Sequence, residues 1–163
     1  MNIAFFLIPK AQSAFLYDDY TVRQALEKMK FHGYSAIPVI TREGNYVGTI
    51  SEGDLLWFIV KGEGGEPHTL AIEALEQVRI SSMDLRNASG GNEPINIMAS
   101  IDELLMRAMN QNFIPVVDDR ESFIGIDGEW FDWIDFLEEV KLAYPQAKDY
   151  ISSLNETHLA KPK

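Results

Sequence analysis

Apolar positions along the chain follow two spacings, and the same succession of spacings occurs twice. Val22, Ala25, Leu26 and Met29 fall three, four and seven residues apart, the spacing of one helix face, and Ile101, Leu104, Leu105 and Ala108 repeat it. Thr21 and Ser100 stand just ahead of these runs, where a side-chain oxygen can satisfy the free N–H groups of a helix start. Gly33 predicts the end of the first helix. Beyond each helix lies a short apolar run, residues 36–40 and 113–117, of strand length. A polar turn follows at 41–45 and at 118–121. A second strand then leads through Gly48 and Gly125, and a further helix is predicted from near Ser51 and near Gly128. Pro38 and Pro115 have no N–H to give to a sheet, which predicts strand starts or edges for both.

The two halves keep a constant distance. Ile37-Pro38-Val39 returns as Ile114-Pro115-Val116 and Gly48 returns as Gly125, both 77 residues on, while Val22 and Ile101 are 79 apart. Self-similarity of this kind means one supersecondary unit used twice, here in the order strand, helix, strand, strand, helix. The fold class is α/β (α+β), built of two β-α-β-β-α repeats. The boundaries read as a first repeat with its N-terminal segment over 1–60, a linker over 61–92 and a second repeat over 93–142. A helical tail over 143–163 completes the chain, with a short helix predicted at 146–154. Within the linker, Gly62, Gly64, Gly65 and Pro67 mark a loop, and Leu70, Ala74 and Val78 are spaced for a short helix over 69–78.

Composition narrows the function classes. The 163 residues are 46% hydrophobic, enough for a buried core, and carry a net charge of −11. That charge excludes non-specific nucleic-acid binding, which needs lysine and arginine opposite phosphate, and disfavours an anionic membrane surface. Cysteine is absent, which removes disulfides, thiolate metal sites and a cysteine nucleophile. The apolar run 3–8 is too short for a secretory signal or a span, so it reads as a segment packed on the core, and the location expected is cytoplasmic.

Tyr34-Ser35-Ala36-Ile37-Pro38-Val39-Ile40 followed by Tyr46-Val47-Gly48-Thr49-Ile50-Ser51-Glu52-Gly53-Asp54-Leu55, with Phe113-Ile114-Pro115-Val116-Val117 and Phe123-Ile124-Gly125-Ile126 in the second half, resembles a tandem pair of cystathionine β-synthase (CBS) domains, or Bateman module. The likeness covers roughly residues 10–60 and 93–142. It implies a pseudo-symmetric pair that binds an adenine nucleotide (AMP, ADP, ATP or a cyclic dinucleotide) in the cleft between the repeats. It further implies a homodimer, no catalysis, the nucleotide as a regulatory ligand rather than a cofactor, and a regulated partner on a separate, unknown polypeptide.

The ligand signature of that family, Gly-h-x-Ser/Thr-x-x-Asp with h apolar, is present once. Gly48, Ser51 and Asp54 fit it, and Thr49 departs from it at the apolar position. A hydroxyl at a helix start can hold a phosphate, and a carboxylate three residues on can accept from ribose hydroxyls. Residues 34–38, through Tyr34, Ala36, Ile37 and Pro38, can wall adenine. The same Ser51-x-x-Asp54 spacing is also a helix capping box that requires no ligand, and one residue pair can serve both ends. In the second copy Gly128 and Phe131 replace the hydroxyl and the carboxylate, and Asp127 and Glu129 would repel a phosphate, so one working site is expected. Among Lys10, Arg42, Arg86, Arg107 and Arg120, the cations chosen for the phosphate are Lys10 and Arg86.

His32, His68 and His158 have no metal-ligand spacing, and no catalytic constellation is visible. Trp57, Phe58, Trp130, Phe131, Trp133 and Phe136 crowd the two closing helices and suggest a dimer face. The alternative reading is a structural or interaction domain whose ligand site is vestigial.

Overall fold

The computed structural model describes residues 3–61, 72–85, 92–108, 111 and 113–127. The helix predicted from Gly128, its aromatics, Arg86, the glycine-rich loop at 62–67 and the C-terminal tail lie outside the described residues. Among the described residues seven strands form two sheets. In chain order they are β1 (Ile8–Pro9), β2 (Leu16–Tyr17), β3 (Ala36–Ile40), β4 (Tyr46–Ser51), β5 (Ile95–Asn96), β6 (Ile114–Val117) and β7 (Phe123–Asp127). The helices are α1 (Val22–His32), α2 (Glu52–Lys61) and α3 (Ile101–Ala108). The described part of the helix expected at 69–78 is a 3-10 turn over Ile72–Glu76.

Local chemistry sets these boundaries as the sequence predicts. Thr21 Oγ1 accepts from the Gln24 N–H, and the Gln24 side chain accepts from the Thr21 N–H, a reciprocal box that starts α1. Gly33, in the left-handed region, ends that helix. Ser100 Oγ accepts from the Glu103 N–H at the start of α3. The turn at 118–121 is held by Asp118, whose carboxylate accepts from the N–H groups of Arg120 and Ser122; the backbone bond from Ser122, then that from Arg120, holds its pKa below the ordinary value.

The two sheets are related like the two halves of the sequence. One runs β2-β3-β4 and the other β1-β7-β6-β5. Leu16 pairs with Val39 where Ile95 pairs with Val116, and Ile37 pairs with Ile50 where Ile114 pairs with Asp127. At the tips of the hairpins the Tyr46 N–H donates to the Glu121 carbonyl and the Phe123 N–H to the Gly44 carbonyl. These two bonds exchange under the 77-residue offset, so they mark the pseudo-two-fold axis.

The prolines correct the expectation drawn from them. β3 and β6 are central strands, not edges. They tolerate Pro38 and Pro115 because β2 and β5 are only two residues long, and their parallel ladders begin at Val39 and Val116, one residue later. No neighbouring strand reaches the missing N–H.

Each repeat is completed by a segment that comes before the other. Ile3 and Phe6 are buried in the second core with Ile95, Leu104, Leu105, Ile114 and Val116, and β1 pairs antiparallel with β7. Ile80 and Leu85 are buried in the first core with Leu16, Val22, Met29, Ile37 and Ile50. Ile3 and Ile80 are 77 residues apart, as are Ile8 and Leu85. The segment at 3–8 is therefore packed on a core, and that core is the second one. The glycines of the repeat explain how the lead-in segments fit. A Cβ on Gly125, where φ is +157°, would collide with the Ile8 carbonyl, and one on Gly48 would meet the Leu85 Cβ at 2.9 Å. A third cluster, Ile40, Phe113, Phe123 and Ile126 with Phe15 and Tyr46 against it, fills the space between the sheets.

Candidate functional site

The face of the first sheet that meets the second repeat is set by strand alternation. Paired residues share a face, so Ser51 with Ala36 and Thr49 with Pro38 project together, while Ile37 and Ile50 project the other way into the first core. Ala36, Pro38, Thr49 and Ser51 are thus gathered on the cleft side. Ile37 can offer a ligand its backbone only. Tyr34 lies just ahead of β3, half-buried, with His32 stacked on its ring at 5.6 Å.

Ser51 and Asp54 form the capping box of α2. The Ser51 N–H donates to Asp54 Oδ2 at 2.8 Å, and the Asp54 N–H donates to Ser51 Oγ at 3.1 Å. Both ends of the pair are used without a ligand. A carboxylate has four lone-pair positions, so this bond alone does not saturate Asp54 as an acceptor.

A pocket of about 140 Å³ opens beside this face. Tyr46, Val47, Gly48 and Thr49 of β4 form one wall; Leu85, Asn92, Glu93 and Pro94 form the second; Val117 and Glu121 close it from the second repeat. Thr49, anomalous in the family signature, is 2% exposed, and its hydroxyl lies 2.8 Å from the Tyr46 hydroxyl. Tyr46 also donates to the Asn92 carbonyl at 2.8 Å. A phenol has one hydrogen, so Thr49 is the donor in the first of these bonds. The chain Thr49, Tyr46, Asn92 ties the first sheet to the segment that leads into β5. Tyr46, Leu85 and Asn92 were not foreseen as site residues; the signal for Leu85 was its 77-residue distance from Ile8.

The pseudo-symmetric cleft differs. Its wall follows from the pairing registers: Phe123 stands for Tyr46, Ile126 for Thr49, Ile40 for Val117, Ile8 for Leu85 and Phe15 for Pro94. All five of these side chains pack in one apolar cluster, with the Phe15 and Phe123 rings 6.2 Å apart. Where the first cleft has a proline, the second has a phenylalanine that fills it. Asp127 does not face this cleft, contrary to the repulsive role expected of it. It pairs with Ile114 and projects into the second core.

Of the candidate cations, Lys10 belongs to the filled cleft. Its Nζ lies 5.4 Å from the Phe15 ring centre and 3.5 Å from where a Gly44 Cβ would stand, and it does not line the open pocket. Lys28 approaches the same ring at 5.2 Å and donates to the Phe15 carbonyl; burial pushes its pKa down. Arg42 is engaged by Asp19 through two bonds of 2.8 and 3.0 Å. Arg107 bonds Glu103 and the Glu93 carbonyl at the pocket's outer edge. The charged groups of the described pocket wall are Glu93 and Glu121. Among the described residues no group of three or more His, Asp or Glu could hold a metal ion, and no helix is long and apolar enough to cross a membrane.

Residues 8–61 match the family model of the CBS domain. No curated protein matches the chain by sequence. Among solved structures, CbpB in complex with c-di-AMP is similar over 92% of this chain and 91% of its own, with a TM-score of 0.72 and 24% identity. CbpB of Listeria monocytogenes in complex with c-di-AMP is similar over 88% of this chain and 98% of its own, with a TM-score of 0.66 and 20% identity. CBSX2 in complex with AMP is similar over 78% of this chain and 89% of its own, at 0.56 and 20% identity. The fold of this chain is that of a tandem CBS-domain pair, and residues 8–61 are recognisable as a CBS domain from sequence alone.

Proposed function

We propose that the chain is a regulatory, non-catalytic module that binds one adenine nucleotide, AMP, ADP, ATP or a cyclic dinucleotide, in the cleft between its repeats. The observation that carries this reading is the asymmetry of the two clefts: one is open along Gly48 and Thr49, the strand that leads into Ser51 and Asp54, and its counterpart is filled by Phe15. The ligands in the similar structures, c-di-AMP and AMP, support the chemical class. In this reading adenine lies against residues 34–38 and the ribose bonds Asp54. The phosphate turns toward Ser51, away from Glu93 and Glu121, and Arg86 is the cation proposed to pair with it. Lys10 has no part in the binding. The module pairs through α2, where Leu56 and Trp57 are 57% and 58% exposed, and a partner protein reads its ligand state.

Isothermal titration with a panel of adenine nucleotides tests this. One site per chain is expected for the nucleotide that binds. Two equivalent sites would contradict the filled cleft, and no heat with any member of the panel would favour an interaction domain with a vestigial site. That second reading has an observation of its own, the Ser51–Asp54 box that is complete without a ligand.

Asp54→Ala is expected to weaken nucleotide binding by about 1–3 kcal/mol through loss of a charged hydrogen bond, and also to cost about 1 kcal/mol of stability through loss of the cap. Asp54→Asn separates the two effects. Its amide oxygen can still accept from the Ser51 N–H, so titration should show weaker binding while the melting temperature stays near that of the parent. Equal affinity in both variants and parent would remove Asp54 from the site.

A further inference from the structure

Away from the open pocket, the second repeat buries a carboxylate that the cleft does not explain. Asp127 is 1% exposed, and neither carboxylate oxygen has a hydrogen-bond partner among the described residues. Its counterpart in the first repeat is Ile50, fully buried in an apolar core. We infer that Asp127 makes the second repeat a proton-linked element, whose core closes around a neutral carboxyl group and is weakened when that group ionises.

The surroundings explain why. Asp127 pairs with Ile114 and shares its face, toward the core built from Ile3, Phe6, Ile101, Leu104, Leu105 and Ala108. None of these can ionise or donate a side-chain hydrogen bond. The remaining residues of β6 and β7 are apolar or glycine. On α3 the charged residues are Asp102, Glu103 and Arg107, outside the buried set, and Arg107 is committed to Glu103 and the Glu93 carbonyl. Transfer of a lone carboxylate into such a site is costly, and the group takes up a proton instead. Burial accordingly raises the Asp127 pKa from 3.8 to about 7.

The sign follows from linkage. The folded chain holds the Asp127 proton to higher pH than the unfolded chain does. The stability present in full below the unfolded value of 3.8 is therefore lost as pH rises through about 7, and no more is lost above it. Because this depends on the core and not on the cleft, it holds whether or not the module takes a nucleotide.

Denaturant unfolding of the full chain from pH 4.5 to 8.5, compared among the parent, Asp127→Asn and Asp127→Ile, tests the inference. Other carboxyl groups titrate alike in all three and cancel in the ratio of unfolding constants. The parent-to-variant ratio should rise by about tenfold per pH unit between about 5 and 7 and then level off. A ratio that stays constant across the range would overturn the inference. Should the variants fail to fold, carboxyl carbon NMR of the parent decides it. A midpoint near 7 for Asp127 supports the linkage, and a midpoint near 4 refutes it.

Discussion

Gly125→Ala is expected to destabilise the chain by about 3 kcal/mol and lower its melting temperature by roughly 10 °C. The added carbon would collide with the backbone carbonyl of Ile8, and the Leu7 side chain stands 2.8 Å away on the same side. A backbone oxygen held in a ladder cannot rotate aside as a side chain does. The residue also has a φ of +157°, which a side chain rarely adopts. The strand β1 must therefore lift from β7, and hydrogen exchange should show lost protection there. Gly48→Ala is the internal control. Its nearest neighbour is the Leu85 Cβ at 2.9 Å, with the Leu85 carbonyl oxygen at 3.2 Å, and its backbone needs no unusual angle, so a loss nearer 1 kcal/mol is expected. Equal melting temperatures for the parent and Gly125→Ala would show that the lead-in strand is not held as described.

Ile3→Ala is expected to cost about 2–5 kcal/mol, as for other large aliphatic side chains removed from a full core. The location of the damage carries more information than its size. Ile3 is 0% exposed and packs with Leu104, Leu105 and Ile114, so amides of α3 and β6 should exchange faster while those of β3 change little. Ile80→Ala should do the reverse, since Ile80 packs with Val22, Met29 and Ile37. A variant at position 3 that exposed β3 and spared β6 would contradict the crossed arrangement. Mild global destabilisation with uniform exchange would also count against it.

Much of the fold was legible because it is local. The caps Thr21 and Ser100, the stop at Gly33 and the strand over residues 36–40 depend on neighbours a few residues away, and they stand where the spacing put them. The constant offset between Pro38 and Pro115 likewise fixed the relation of the two sheets. What local reading could not supply was the partner of each piece. The prolines pointed to strand starts or edges because a missing N–H is costly in a full sheet, yet both lie inside central strands whose short neighbours stop one residue away. The segment at 3–8 was apolar enough to pack somewhere, and only the contact of Ile8 with Gly125 shows where. The offset held the clue, because it extends to Ile3 and Ile80, beyond the region where the repeats look alike. Asp127 shows the limit on the chemical side. Its place in the motif window suggested that it faces a phosphate, whereas its register with Ile114 turns it into the core.

The crossed lead-in segments also constrain how the chain is made. Synthesis delivers residues 8–61, a recognisable domain, well before Ile80 and Leu85 emerge from the ribosome. The first core cannot close over those missing side chains, and Ile3, the earliest buried residue of the second core to be made, waits for a sheet that is completed last. Folding is thus deferred until nearly the whole module is available. A nascent chain stalled between the repeats would offer proteases an open core in place of a finished half.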